Sequence, residues 1–183
     1  MRIVAGQYRG KKLWTPEGKE VRPTSERARE AIFNILNSHL GSDYSAVRLA
    51  DIFAGTGAFG LEALSRGAAS VTLVDKDTSL AAKNAKMFVK EQAKIKLIKA
   101  DALNLPHLRD KFNMVFMDAP YAKGLTEEVL KQLLEKDWLE PNSLCIVEIK
   151  KDEHIDIPQK YELLDERVYG LARILFLDPK IAK

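Results

Sequence analysis

Asp51-Ile52-Phe53-Ala54-Gly55-Thr56-Gly57-Ala58-Phe59-Gly60 decides the fold. The run from Leu49 to Phe53 reads as a buried strand, and Gly57 to Ser65 reads as the helix that follows it. Between them stands a G-x-G-x-x-G turn. Glycine permits the tight turn and lets the backbone come close to a ligand. Taken alone, the motif fits a dinucleotide pyrophosphate at a helix N-terminus, or glycines that serve packing only.

Outward from this turn, strands and helices alternate. Val71–Val74 is a second strand, followed by a helix over Thr78–Glu91 entered through Asp77 or Thr78. Ile95–Ile98 and Met114–Met117 are a third and a fourth strand. Leu125–Lys136 is a helix closed by Trp138 and Pro141, and Leu144–Ile149 is a fifth strand. Tyr161–Val168 and Ala172–Leu177, around Tyr169-Gly170, form a closing antiparallel pair. Gly67 suits the end of the helix after the glycine loop. Such alternation predicts an α/β protein with a mostly parallel sheet covered on both faces. Ligands in such sheets bind beyond the carboxyl ends of the strands.

Before the sheet, Ala28, Ile32, Ile35 and Leu36 recur at helical spacing. Thr24 or Ser25 can cap that helix, and Gly41 ends it. Residues 1–22 are expected to form a small basic hairpin, with short strands at Ile3–Tyr8 and Lys12–Trp14 around Arg9-Gly10. The expected division is therefore an extension over 1–22 and one main domain over 23–183.

The chain has 183 residues, 46% apolar and 30% charged, as soluble globular proteins do. No apolar run is long enough to span a membrane. Met1–Gly6 is not followed by the apolar core of a signal peptide, and Cys145, the only cysteine, stands in an apolar strand where packing is expected. A cytoplasmic protein is expected on these grounds. The net charge of +3 is unevenly spread. Residues 1–30 carry eight basic and four acidic side chains, so the basic excess belongs to the N-terminal segment and suits a polyanion as well as it suits plain solvent.

Three acids stand at successive strand ends. Asp51 lies four residues before Gly55, where a carboxylate suits an ammonium group or ordered water better than a pyrophosphate. Asp75 ends the second strand, where it can accept both hydroxyls of a ribose. Asp101 follows the third strand and can accept a hydrogen bond from an adenine amine. In register, the three match S-adenosylmethionine, with its cationic amino-acid end, ribose and adenine.

The fourth strand runs into Asp118-Ala119-Pro120-Tyr121. The exocyclic amine of a nucleobase is a poor nucleophile because its lone pair is delocalised into the ring. A carboxylate oxygen of Asp118 and the carbonyl of Ala119 can accept its two hydrogens and favour a pyramidal nitrogen. Pro120 restricts Ala119 to extended geometry, which aims that carbonyl. Tyr121 can stack on the base, a contact worth about 1–3 kcal/mol. Methyl transfer needs in-line positioning, so such a site does its work by orientation. A base within a helix would have to be extruded.

Two further stretches carry a resemblance to a known family. They are Arg2-Ile3-Val4-Ala5-Gly6-Gln7-Tyr8-Arg9-Gly10-Lys11-Lys12-Leu13 and Arg22-Pro23-Thr24-Ser25-Glu26-Arg27-Ala28-Arg29-Glu30-Ala31-Ile32-Phe33-Asn34. With Gly60–Ala68 and Tyr169-Gly170, the chain resembles, over almost its whole length, the bacterial RsmD-type 16S ribosomal RNA (guanine-N2)-methyltransferases. The resemblance implies a Rossmann-like class I methyltransferase fold with a small N-terminal hairpin and helix. It implies S-adenosylmethionine as donor and a guanine of 16S ribosomal RNA as acceptor, within an assembled or assembling small subunit. Asp118, Ala119, Pro120 and Tyr121 would then form the target-base site. Asp51, Phe53, Ala54, Gly55, Thr56, Gly57, Gly60, Asp75, Lys76, Asp101, Ala102 and Asp118 would line the cofactor, and Arg2, Arg9, Lys11, Lys12, Arg22, Arg27 and Arg29 would meet RNA. The family's tetrapeptide has proline at its second position, where this chain has Ala119; the accepting carbonyl survives, and the loop loses one ring constraint.

His39, His107 and His154 are not at ligand spacing, so no metal is expected. Trp14 and Tyr8 can stack on RNA or pack the hairpin, and Phe53 and Phe59 are expected chiefly to pack beside the loop. No apolar interface stripe stands out, so a monomer is expected. Three readings compete with guanine methylation: transfer to adenine N6 or cytosine N4, a nicotinamide-dependent oxidoreductase, and a non-catalytic RNA-binding protein.

Overall fold

A computed structural model describes residues 1–16, 23–120 and 124–181. Helix α1 (Pro23–Leu40) precedes β1 (Arg48–Ile52), α2 (Ala58–Ser65), β2 (Ser70–Asp75), α3 (Ser79–Ala85), β3 (Ile95–Lys99) and β4 (Phe112–Asp118). Helix α4 (Leu125–Glu135), then β5 (Leu139–Lys150), β6 (Tyr161–Tyr169) and β7 (Ala172–Pro179), complete the order. The seven strands form one sheet in the order β3-β2-β1-β4-β5-β7-β6. β1 to β5 pair in parallel, while β7 runs antiparallel to both β5 and β6. Strand order reverses between β1 and β4, the position at which open α/β sheets leave a crevice at their carboxyl ends.

The central strands are buried on both faces, while the edge strands β3 and β6 are largely open, and side-chain alternation sorts the core in two. Leu49, Leu73, Met114 and Phe116 point to the face covered by α1, α2 and the N-terminal segment. Ala50, Ile52, Val115, Met117 and Val147 point to the face covered by Val129, Leu130 and Leu133 of α4. One-residue alternation along a pleated strand requires this division. Cys145 is fully buried on the α4 side, and burial pushes its thiol up from its ordinary value.

Local differences from the expected elements have physical causes. The helix expected over Thr78–Glu91 ends at Ala85, and a 3₁₀ turn covers Val89–Lys94. Phe88 leaves the helix to bury itself against Tyr8, at 4.5 Å between ring centroids. Gln92 Nε2 then donates to the carbonyls of Ala85 and Phe88, which also accept the N–H groups of Phe88 and Glu91 in tighter turns. β5 begins at Leu139, so Pro141 lies within it rather than closing α4. Helix α1 begins at Pro23, ahead of both expected caps; proline suits a first helical turn because its missing N–H has no helical partner to lose.

The N-terminal segment folds back on itself through a short antiparallel pairing: Arg2 bridges Lys12, Ile3 N–H donates to the Lys11 carbonyl, Gly10 N–H to the Ile3 carbonyl and Leu13 N–H to the Met1 carbonyl. The segment spends further backbone groups on the helix beneath it. Val4 and Ala5 N–H donate to the two carboxylate oxygens of Glu62, at 2.7 and 2.9 Å. Gln7 N–H donates to the Ser65 carbonyl and Tyr8 N–H to Ser65 Oγ. Gly6, at φ +81°, sits so close to α2 that a Cβ there would lie 1.9 Å from the Ser65 oxygen. Ile3 and Leu13 are buried in the same core as α1 and α2.

Candidate active site

The parallel register brings the strand-end acids into one row. Asp51 pairs laterally with Leu73 and Phe116, Asp75 closes β2, and Asp118 pairs with Glu148 of β5. All lie at the carboxyl ends of parallel strands, beside the glycine loop.

The loop leaves β1 through Phe53, whose φ of +61° is left-handed, and Ala54 N–H continues the ladder to the Val74 carbonyl. The three glycines serve different ends. A Cβ on Gly57 would lie 2.9 Å from Leu73 Cδ1, and one on Gly60 would lie 2.4 Å from Leu73 Cδ2. Those two let α2 settle on β2. Gly55 is exposed, with its N–H on Asp75 Oδ2 at 2.8 Å, and a Cβ there would find nothing nearer than 3.9 Å. Only the first glycine therefore fronts open space.

Asp51 is 2% exposed and accepts the Gly60 N–H at 2.9 Å. Burial drives its carboxyl up to about 7; the Gly60 N–H opposes this, while the nearby charges of Asp118 and Asp75 reinforce it. An acid so placed titrates close to neutrality, and a cation beside it would favour its ionised form. Asp75 Oδ1 accepts the Asp77 N–H at 3.0 Å, so both its oxygens are oriented by backbone donors, each with a lone pair left for a ligand. Asp101 is held below the usual carboxylate range, first by the Leu103 N–H and then by Lys76, whose Nζ lies 3.1 Å away.

Two hollows meet here. The larger, about 530 Å³, is lined by Asp75, Lys76, Asp101, Ala102, Ala119 and Pro120, with Phe53 and Asp118 at its edge. The smaller, about 110 Å³, is lined by Met1, Arg29, Asp51, Ala54, Thr56 and Glu148, again with Phe53 and Asp118. Phe53 and Asp118 thus form the divide between the Asp75–Asp101 side and the Asp51 side. Phe59, stacked on Phe116 at 3.7 Å, forms part of the wall of the smaller hollow. Asp118 is exposed, Ala119 is buried and Pro120 is exposed. Tyr121 and Arg22 lie outside the described residues.

Among the basic residues expected at RNA, Arg2, Arg9, Lys12 and Arg27 are exposed, and Lys11 lies over the Tyr8 ring. Arg2, Arg9 and Arg27 share a groove of about 490 Å³ with Glu26 and Glu30. Arg29 is a correction. It is 5% exposed, donates to the Arg2 carbonyl and faces the buried Glu62, so it serves the fold rather than a surface contact.

Three residues escaped the sequence reading. Glu148 was visible only as a lone acid in the apolar run Leu144–Ile149. Glu62, fully buried, joins Arg29, Arg66 and the amides of Val4 and Ala5. An acid on a helix that is apolar apart from Ser65 was its only signal. Asn84, also fully buried, donates from Nδ2 to the carbonyls of Thr56 and Trp14 and accepts the Trp14 N–H. Nothing local in the sequence marks it.

Comparison with known proteins agrees with this geometry. The family described as Conserved hypothetical protein 95 matches residues 1–178. The Ribosomal RNA small subunit methyltransferase D of Haemophilus influenzae is 36% identical over 178 residues, covering 94% of this chain and 90% of that protein. A solved structure of the putative methyltransferase yhhF from Escherichia coli superposes with a TM-score of 0.82 at 31% identity, covering 100% and 99% of the two chains. The magnesium protoporphyrin IX methyltransferase of Synechocystis, solved with bound SAM, shares the fold at 12% identity and a TM-score of 0.67, covering 91% of this chain and 86% of that one. Class I methyltransferase architecture, a row of strand-end acids and a family match over nearly the whole chain converge: the chain belongs to the family of Conserved hypothetical protein 95, the RsmD-type methyltransferases that its N-terminal signature resembles.

Proposed function

We propose that this protein transfers a methyl group from S-adenosylmethionine to the exocyclic N2 amine of a guanine in 16S ribosomal RNA. The observation that carries the reading is the position of Asp118: an exposed carboxylate on the divide between the Asp75–Asp101 hollow and the Asp51 hollow. A relative of 36% identity named for small-subunit ribosomal RNA methylation supports the choice of acceptor.

The residues present fit the donor. Asp51 is a buried acid poised to ionise against an ammonium group. Asp75 presents an oriented carboxylate to a ribose diol, and Asp101 with Ala102 closes the adenine end. S-adenosylmethionine, when bound, supplies an electrophilic methyl on a sulfonium that departs as a neutral thioether. This chain supplies the alignment. Asp118 and the Ala119 carbonyl accept the two amine hydrogens and turn the nitrogen lone pair toward the divide. As the N–C bond forms, the surplus proton leaves through the Asp118 carboxylate, which is open to solvent. Tyr121 is proposed to stack on the base. Arg2, Arg9, Lys12 and Arg27 are proposed to hold the RNA backbone. The protein is proposed to work as a cytoplasmic monomer on an assembled or assembling small subunit; among the described residues no helix is long and apolar enough to cross a membrane.

The test is tritiated methyl transfer onto unmethylated small subunits and onto naked rRNA, followed by mass mapping of the product. Label on guanine N2 is expected; label on adenine N6 or cytosine N4, or none, would sink the proposal. Asp118→Ala is expected to abolish transfer while cofactor binding persists, and wild-type turnover in that variant would remove Asp118 from its role.

A further inference from the structure

Two aromatic residues of the basic N-terminal segment were open to either packing or RNA stacking, and the structure separates them. Tyr8 is packed on Phe88. Trp14 is 54% exposed, and Lys83 Nζ stands over its ring at 3.4 Å from the centroid. A large apolar ring held in water on a rigid support is an unusual expense for a surface, and the support here is rigid. Asn84 clamps Trp14 by both backbone groups, at 2.7 Å from its N–H and 3.0 Å to its carbonyl. The same amide holds the Thr56 carbonyl of the glycine loop at 2.9 Å. The Trp14 backbone is therefore tied through Asn84 to the glycine loop.

We propose that Trp14 is a stacking platform for an unpaired base of the RNA substrate, outside the pocket that takes the target base. The proposal rests on the RNA reading above. Lys83 covers one face of the indole, so a base takes the exposed one. The Lys83 ammonium, with exposed Lys12 and Lys86 nearby in sequence to the two partners, then meets the phosphates that flank that base. Every base has a π-face, so such a platform tolerates sequence and adds affinity and register rather than base identity. Its link through Asn84 to Thr56 sets the distance between the stacked base and the methyl-transfer centre.

The test uses the full chain as wild type, Trp14→Ala and Trp14→Phe. The probes are a short single-stranded RNA of mixed sequence and unmethylated small subunits. Trp14→Ala is expected to weaken RNA binding and raise the KM for subunits by about 5- to 150-fold. Cofactor affinity and kcat at saturating subunits are expected to stay near wild type, and Trp14→Phe to recover most of the loss. RNA is expected to quench tryptophan emission in wild type and not in Trp14→Ala, where only the buried Trp138 remains. Equal RNA affinity in wild type and Trp14→Ala, or a quench that survives the substitution, would overturn the platform. So would a defect confined to subunits, which would assign the ring to a ribosomal protein. Failure of the wild type to methylate subunits would instead fell the functional reading, while the affinity ratio and the quench would still decide the platform.

Discussion

Replacing Asp51 by asparagine is expected to make the protein more stable and to weaken its hold on the cofactor. Asp51 is 2% exposed, and its carboxyl is pushed from 3.8 to about 7, chiefly by burial. The folded chain therefore binds this proton more tightly than the unfolded chain does. Stability from this group is complete below about pH 4 and is lost as pH rises toward 7. At about 1.4 kcal/mol per unit, the loss is at most ~4 kcal/mol above neutrality. Asparagine keeps the shape, can still accept the Gly60 N–H and carries no charge. An unpartnered Nδ2 takes back roughly 1–3 kcal/mol. A net gain of about 1–3 kcal/mol for Asp51→Asn at about pH 8 follows, shrinking to nothing or reversing near pH 4–5. Urea unfolding of both proteins across that range measures it. Parallel pH profiles, or a variant less stable than wild type at pH 8, would refute the reasoning, because either would mean that the buried charge is already compensated.

Cofactor affinity in wild type is expected to rise from about pH 6 to about pH 8 as Asp51 ionises, and to be weak and flat in Asp51→Asn; titration calorimetry checks both. Gly6→Ala should destabilise by about 2 kcal/mol or more, because its Cβ would meet the Ser65 carbonyl at 1.9 Å and its φ is +81°; early protease cleavage within residues 1–16 would report release of the segment. Glu62→Ala should cost about 3–5 kcal/mol in thermal or urea unfolding, since it leaves Arg29 and Arg66 buried without their shared carboxylate. A change under about 1 kcal/mol there would show that water replaces it.

Much of this was legible because parallel strands buried on both faces are written as apolar runs. Leu49–Phe53, Val71–Val74 and Met114–Met117 could be placed on that basis, and the acids that interrupt them marked the ligand edge. Register between strands was not legible, since each run is apolar on both sides and would pair equally well one residue along. The docking of the N-terminal hairpin was not legible for a related reason. Besides the antiparallel bonds between its own two arms, its amides find Glu62 and Ser65, more than fifty residues away. Arg29 read as one more basic residue among many, because nothing local reveals that α1 turns it toward Glu62.

By itself the sequence determined the order of strands and helices, the glycine turn, and the acids at Asp51, Asp75, Asp101 and Asp118, all of which follow from local pattern along the chain. Tertiary structure alone decided that Gly57 and Gly60 serve packing while Gly55 faces open space, and that Phe53 and Asp118 divide two hollows. It alone set Trp14 outward on the Asn84 clamp and buried Arg29 with Glu62. Those outcomes depend on which distant groups share a dielectric and a hydrogen bond, and such neighbours exist only once the chain has closed on itself.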